Sequence, residues 1–279
     1  MTRFGFAVNP TSEAAVDMGK RAMAWCRERG VTSWLEEAAA TDKVTAKLPG
    51  TDALVVLGGD GTLLRGARAV AEVDVPILGV NSGKVGFLSK AEPGQLEAVL
   101  GLLLGGAYEL EERMILEATV RPGGGPSVAA PFLALNEAAV VRGSQARVVR
   151  LAVAVDDSHL ATYIADGLVV ATPTGSTGYS FSAGGPILDP TSRNIVVTPV
   201  AAYLAGIRSV VVSPKHTITV RVEAAYDVLI SIDGREEAPL AVGDSVVVRP
   251  RERPIRFIEP HGAPPFWDLL RRKVELLPS

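Results

Sequence analysis

Apolar and polar positions alternate along this chain with two different periods, and the change from one to the other divides it. Over the first hundred residues, the short apolar runs Phe4–Val8, Val31–Leu35, Ala53–Leu57 and Pro76–Val80 read as buried strands. Between the first two, Ala15, Val16, Gly19, Ala22, Met23 and Cys26 recur at helical spacing, with Ser12 placed to cap the helix and Gly30 to end it. Further helices are expected from about Thr62 and over Pro93–Leu104. Strands alternating with helices predict an α/β domain built on a parallel sheet with both faces covered.

From Arg113 onward the pattern turns to strands: Ile115–Val120, Phe132–Val141, Val148–Val155, Val169–Ala171, Arg208–Val212, Thr217–Val222, Val228–Ile232 and Ser245–Val248, with turns such as 122–126 between them. A mostly-β second domain follows, expected as a sandwich. The boundary is placed near residue 110. At the far end, Phe266, Leu269, Leu270 and Val274 share one face of a helix that must pack on something.

Composition narrows the classes. A chain of 279 residues buries enough surface for two cores. A formal net charge of -3 offers no basic footprint, so a nucleic-acid partner is not expected. The lone Cys26 reads as a reduced, packed thiol, as in cytoplasmic proteins, and MTRFGFAVNP lacks the apolar core of a signal peptide. The apolar run 98–107 is too short to span a membrane, and 195–212 is interrupted by Pro199 and Arg208. A soluble, cytoplasmic protein with no membrane partner is expected.

The candidate chemistry begins where Ala53–Leu57 runs into Gly58, Gly59, Asp60, Gly61 and Thr62. Glycines after a strand let the backbone take positive φ and approach a ligand closely, and the N–H groups at the following helix start suit phosphate oxygens. Asp60 is expected at the tip of that turn. Neither GxxxxGK[ST] nor GxGxxG occurs there, since Leu64 stands where the latter needs its third glycine. Arg65, four residues after Gly61, is a further candidate for phosphate. In the β region, Asn136 and Glu137 directly follow the apolar Phe132–Leu135. A buried carboxylate needs partners or a ligand, and neighbouring strand residues reach one ligand only at a bend or strand end. The stretch 166–186, DGLVVATPTGSTGYSFSAGGP, sets the hydroxyls of Thr174, Ser176, Thr177, Ser180 and Ser182 among glycines where a strand hands over to a helix. His159, His216 and His261 show no ligand spacing, and no metal ligand is assigned.

These segments, in this order, resemble the NAD kinase family, and GGDGT alone places the chain among its wider relatives, the diacylglycerol, sphingosine and 6-phosphofructo kinases. The match continues through Gly79, Val80, Asn81, Gly83, Gly86, Phe87 and Leu88, through Asn136–Glu137, through 166–186, and through SIDGRE at 231–236, where Arg235 stands at a glutamine position. The resemblance implies a Rossmann-like first domain of residues 1–110 plus 260–279, to which the last helix returns, and a β-sandwich of residues 111–259. It implies transfer of a phosphoryl group from ATP, or inorganic polyphosphate, to the 2′-hydroxyl of the adenosine ribose of NAD, with Mg²⁺ or another divalent metal. Asp60 would be the catalytic base. Gly58, Gly59, Gly61, Thr62 and Arg65 would serve the donor phosphates, Phe87 an adenine ring, and Asn136, Glu137, Asp166, Thr174, Thr177, Gly178, Tyr179, Ser182 and Arg235 the nucleotide. A homodimer or homotetramer is implied. Two departures stand out: Gly178 replaces the usual alanine, and Thr198 to Leu204 lacks the family's Pro-His-Ser-Leu segment. They keep open a kinase of the same fold with another small hydroxylic or nucleoside-like acceptor. A nucleotide-binding regulator without turnover is the other alternative.

Overall fold

The computed structural model describes residues 1–83, 86–127, 130–144, 147–203 and 206–275. Of the sequence motifs, positions 84, 85 and 204 and the side chain of Val274 lie outside the described residues. The chain divides into two compact units, Met1–Glu112 with Ile255–Ser279, and Arg113–Pro254.

The first unit runs β1 (Arg3–Val8), α1 (Glu13–Glu28), β2 (Thr32–Glu37), α2 (Thr41–Lys47), β3 (Ala53–Leu57), α3 (Asp60–Val70), β4 (Ile77–Val80), α4 (Leu96–Gly105) and β5 (Tyr108–Arg113). The second contributes β6 (Leu116–Arg121), β7 (Phe132–Ala134), β8 (Glu137–Arg142), β9 (Val149–Val155), β10 (Ser158–Ala165), β11 (Gly167–Ala171), α5 (Tyr179–Ser182), β12 (Ile195–Val200), β13 (Val210–Val212), β14 (Ile218–Ala224), β15 (Val228–Ile232), β16 (Arg235–Leu240) and β17 (Ser245–Pro250). The chain then returns to the first unit with β18 (Ile255–Pro260) and α6 (Phe266–Glu275).

The first sheet has the order β2-β1-β3-β4-β18-β5, with β1, β2, β3, β4 and β18 joined in parallel. Because helices cover both faces, its central strands are apolar without alternation, and every residue of β3 and β4 is buried. Ser12 caps α1 by accepting the Ala15 N–H at 3.3 Å, and Gly30 (φ 67°) follows its end. The buried stripe of α1 is rotated from the expected one: Met18 and Trp25 are buried, while Val16 and Met23 are half-buried. β18 pairs with β4 through Phe257 and Ile77, so the second crossing between units falls at 254/255 rather than at the expected 259/260.

The second unit is a sandwich of two antiparallel sheets, β10-β9-β14-β17-β6-β7 and β13-β12-β11-β8-β15-β16. Its core interleaves Leu151, Val153, Val220 and Val246 of one sheet with Val140, Leu168, Val197 and Ile230 of the other. Alternation is plain in β14, whose odd positions face water. Three expectations are corrected here. The expected strand Phe132–Val141 breaks between Ala134 and Glu137, where backbone N–H groups turn to a side chain instead of a neighbouring strand. The predicted helix Pro93–Leu104 begins with a 3₁₀ turn at Pro93–Gln95. β5, β10, β12, β18 and α2 were not anticipated: β5 and α2 are mostly polar and little buried, whereas β10, β12 and β18 carry core residues in runs interrupted by polar residues or proline.

α3 lies directly on the sheet at Gly66, where an added methyl would stand 2.5 Å from Val56 Cγ2 and 3.1 Å from Ile77 Cδ1. Alanine gains up to about 1 kcal/mol in helix propensity, whereas overpacking costs about 1–3 kcal/mol. Gly66→Ala is therefore expected to destabilise the protein despite its better propensity, read as a lowered denaturant midpoint in urea melts.

Candidate nucleotide site

In the first unit the site grows from the end of β3. The Gly58 N–H donates to Val80 O at 3.0 Å, which ties the loop to the neighbouring strand. The Gly59 carbonyl accepts from the N–H groups of Thr62 (2.9 Å) and Leu63 (3.1 Å), so α3 already begins at Asp60, two residues earlier than expected. Asp60 is thus the first helical residue and not the tip of a turn. The glycines also act differently from expectation, since Gly58, Gly59 and Gly61 are not among the residues with positive φ. Gly58 is required by packing, because a Cβ there would lie 2.5 Å from Thr62 Oγ1. At Gly59 and Gly61 a Cβ would meet no atom within 4 Å, which leaves bare backbone facing open space at a helix N-terminus.

The Asp60 carboxylate is half-buried and accepts the N–H groups of Phe87 (3.0 Å) and Leu88 (3.4 Å). A Cβ at Gly86 would overlap that carboxylate, so the second glycine-containing segment closes on the first through Asp60. The Phe87 ring lies 6.3 Å from that of Phe266 on α6, with the Lys273 ammonium 4.5 Å from its centroid. Arg65 is exposed on the next turn of α3.

In the second unit the break between β7 and β8 brings three predicted residues together. An ideal Cβ on Gly178 would stand 3.6 Å from Glu137 Oε2 and 4.0 Å from Asn136 Nδ2, so both side chains converge on that glycine. Glu137 is 5 % exposed, and its Oε2 finds no hydrogen-bond partner among the described residues. Burial first, and then the Asp233 charge, pushes its carboxyl up to about 8. It is therefore a neutral acid at pH 7, with a proton and an oxygen left for a ligand. The Tyr179 hydroxyl is raised chiefly by burial, then by Asp166 and Glu137, against a lowering by Arg142. Asp166 is bound by Arg142 at 2.9 Å.

The hydroxyls divide into two sets. Ser176 donates to Pro173 O (2.6 Å) and accepts from the Leu188 N–H, while Ser180 pairs with Thr198 (3.1 Å); both are buried and hold the turn. Thr174 is 5 % exposed and accepts from Arg113 at 3.3 Å, Thr177 donates to Thr174 O, and Ser182 is exposed on α5. Arg235 is not drawn in: its guanidinium forms a two-pronged pair with Glu237, both at 2.9 Å, and is largely exposed. Beside α5 opens a cavity of about 370 Å³, bounded by Ala183, Gly184, Pro199, Ala201, Arg208 and Ser209. The segment that departs from the family pattern forms part of that wall. Sequence reasoning placed Gly86 in a motif without its packing on Asp60, and did not anticipate the role of Asp233; Asp-Gly between two strands was the available signal.

Folding moves a proton onto Glu137. An ordinary carboxyl near 4.5 is deprotonated at neutral pH, whereas the folded one holds its proton to about 8. The folded state thus binds more protons between these values, and its stability falls as pH rises through that window. Glu137→Gln has no such proton to lose. The wild type should therefore lose roughly 2–5 kcal/mol relative to that variant between pH 5 and pH 8, measured by denaturant melts at both; parallel curves would refute the assignment.

Comparison with known proteins agrees with this layout over the whole chain. Residues 5–108 match the family model of the ATP-NAD kinase N-terminal domain, and residues 135–260 that of the ATP-NAD kinase C-terminal domain. The NAD kinase of Symbiobacterium thermophilum is 40% identical over 283 residues, covering 98% of this chain and 99% of that one. The NAD kinase of Syntrophotalea carbinolica is 38% identical, covering 98% of each. Among solved structures, an NAD kinase from Archaeoglobus fulgidus in complex with ATP superposes with a TM-score of 0.78 at 28% identity, covering 98% of both chains. Yeast NADH kinase complexed with NADH shares the fold at a TM-score of 0.87 and 21% identity, over 100% of this chain and 89% of the other. With both family models in order and full-length relatives at this identity, the chain belongs to the NAD kinase family.

Proposed function

We propose that this protein transfers the terminal phosphoryl group of ATP to the 2′-hydroxyl of the adenosine ribose of NAD, giving NADP and ADP. The observation that carries the reading is the Asp60 carboxylate, half-exposed at the start of α3 between two stretches of bare glycine backbone. Phosphoryl transfer passes through a loose transition state, so the protein's work is positioning and charge stabilisation. The backbone from Gly59 to Thr62 and the helix N-terminus hold the donor phosphates. Asp60, aimed by the Phe87 and Leu88 N–H groups, takes the proton of the 2′-hydroxyl as its oxygen bonds to the γ-phosphorus and the bond to the β-bridging oxygen breaks. Asn136, Glu137, Gly178 and Tyr179 hold the acceptor.

The open backbone at Gly59 and Gly61 leaves room for donor phosphates together with a divalent cation, which typically keeps several waters and takes few protein ligands. A divalent cation bound beside this backbone would supply charge neutralisation for the donor phosphates. A cytoplasmic setting and a homodimer or homotetramer belong to the same reading, as does inorganic polyphosphate as an alternative donor.

A second reading, a kinase of this fold with another hydroxylic acceptor, draws on the altered wall of the cavity beside Ser182. A panel of nucleoside and small-alcohol acceptors, scored by ADP release, separates the two; ADP release with NAD alone among them excludes the second.

With purified protein, Mg²⁺, ATP and NAD, an NADP-specific dehydrogenase should report NADP. Asp60→Asn should bind NAD normally and lose about 10²- to 10⁴-fold in turnover, or roughly 3–5 kcal/mol. Near-normal turnover in that variant would remove Asp60 from the mechanism.

A further inference from the structure

The break between β7 and β8 frees backbone groups that a continuous strand would have paired, and one side chain collects them. Asp233 Oδ1 accepts the N–H of Asn136 at 2.7 Å and of Glu137 at 3.2 Å, and Oδ2 accepts that of Leu135 at 3.1 Å. The Asp233 N–H donates in return to Glu137 O at 3.0 Å. From the other side, Thr172 donates its N–H to Asn136 O (2.8 Å) and its hydroxyl to Leu135 O (2.6 Å). Gly175 presses so closely on Asn136 that a Cβ there would overlap its backbone. The corner is thus gripped on both faces, and its two side chains emerge together toward Gly178 rather than on opposite sides of a strand.

We propose that Asp233 is a positioning residue for the acceptor nucleotide, holding the Asn136–Glu137 corner open so that both side chains meet one ligand. The proposal rests on the assignment of that corner to NAD. Asp233 itself need not touch the ligand: it sits in the hairpin between β15 and β16 with φ 50°, followed by Gly234 at φ 75°. That is the geometry of a two-residue hairpin turn in which Asn-Gly serves as well as Asp-Gly.

The turn chemistry supplies a clean test. Asp233→Asn keeps the hairpin and one carbonyl oxygen, but sets an amide N–H₂ where the second carboxylate oxygen accepted a backbone N–H. Hydrogen bonds to a charged acceptor are the strong ones. NAD binding to the full chain by calorimetry should therefore weaken about tenfold or more, with KM for NAD rising in step. The KM for ATP should stay within about twofold, and the melting temperature should fall by roughly 2–10 °C, which leaves the chain folded at the assay temperature. Gly175→Ala, which pushes the corner from the opposite face with Asp233 intact, should reproduce the NAD-selective loss. Unchanged NAD affinity in Asp233→Asn, or equal rises in both KM values, would overturn the proposal. Absence of NAD binding in the wild type would instead overturn the functional assignment on which it rests.

Discussion

Wherever this backbone leaves regular structure, its N–H groups still require acceptors, and short carboxylates supply them at the two places where the candidate chemistry lies. Asp60 takes the N–H groups of Phe87 and Leu88, and Asp233 takes those of Leu135, Asn136 and Glu137. A buried backbone donor without a partner costs about 1–3 kcal/mol, so neither irregular segment would hold its shape on side-chain packing alone. The same contacts that satisfy the backbone also aim functional groups. In the first unit the acceptor is itself the candidate base; in the second it stands behind the residues proposed to meet the acceptor nucleotide.

The glycines divide along the same line between holding shape and leaving room. Gly58, Gly66 and Gly86 are small because something packs where a Cβ would stand: Thr62, Val56 and the Asp60 carboxylate. Gly59 and Gly61 face nothing. A motif that reads as uniformly permissive thus contains positions with opposite demands. Gly178 belongs with the open ones, since a methyl there would reach only ordinary contact distance from Glu137 Oε2 and Gly175 O. The departure from the family's alanine therefore leaves a small gain of room beside Glu137.

Much of the fold was legible, for reasons that differ between units. β3 and β4 are buried on every side chain, and nothing but apolar residues could form them. The strands of the sandwich alternate because one face is wet. What escaped was β5, which is largely charged, and strands whose apolar residues are broken by polar ones or proline: β10, which opens on an exposed serine and histidine, β12 with Pro199, and β18. The break at Asn136 escaped for a related reason. Its cause is Asp233, 97 residues away, and no local pattern in Phe132–Val141 records that contact. Asn136, Glu137 and Gly178 could be singled out as candidates from the motifs, with a bend as the condition for the first two to act together; the means of making that bend could not be read. Arg235 shows the reverse case, a motif position whose charge is already satisfied by Glu237 on its own strand.

The Asp233 contacts also set two demands against each other. Three N–H donors favour a full negative charge on Asp233, and that charge stands close enough to Glu137 to disfavour a second one. Burial acts in the same direction and is the larger cause. The corner resolves the conflict by keeping Glu137 protonated, which changes what it can offer. An ionised glutamate accepts only, whereas a neutral one also donates a proton. A ribose hydroxyl can be met by either form, but an acceptor such as an adenine ring nitrogen or an anionic oxygen can be met only by the neutral one. The carboxylate that shapes the corner thereby adds to the burial that would let Glu137 face a nucleotide, a polyanion, without repelling it.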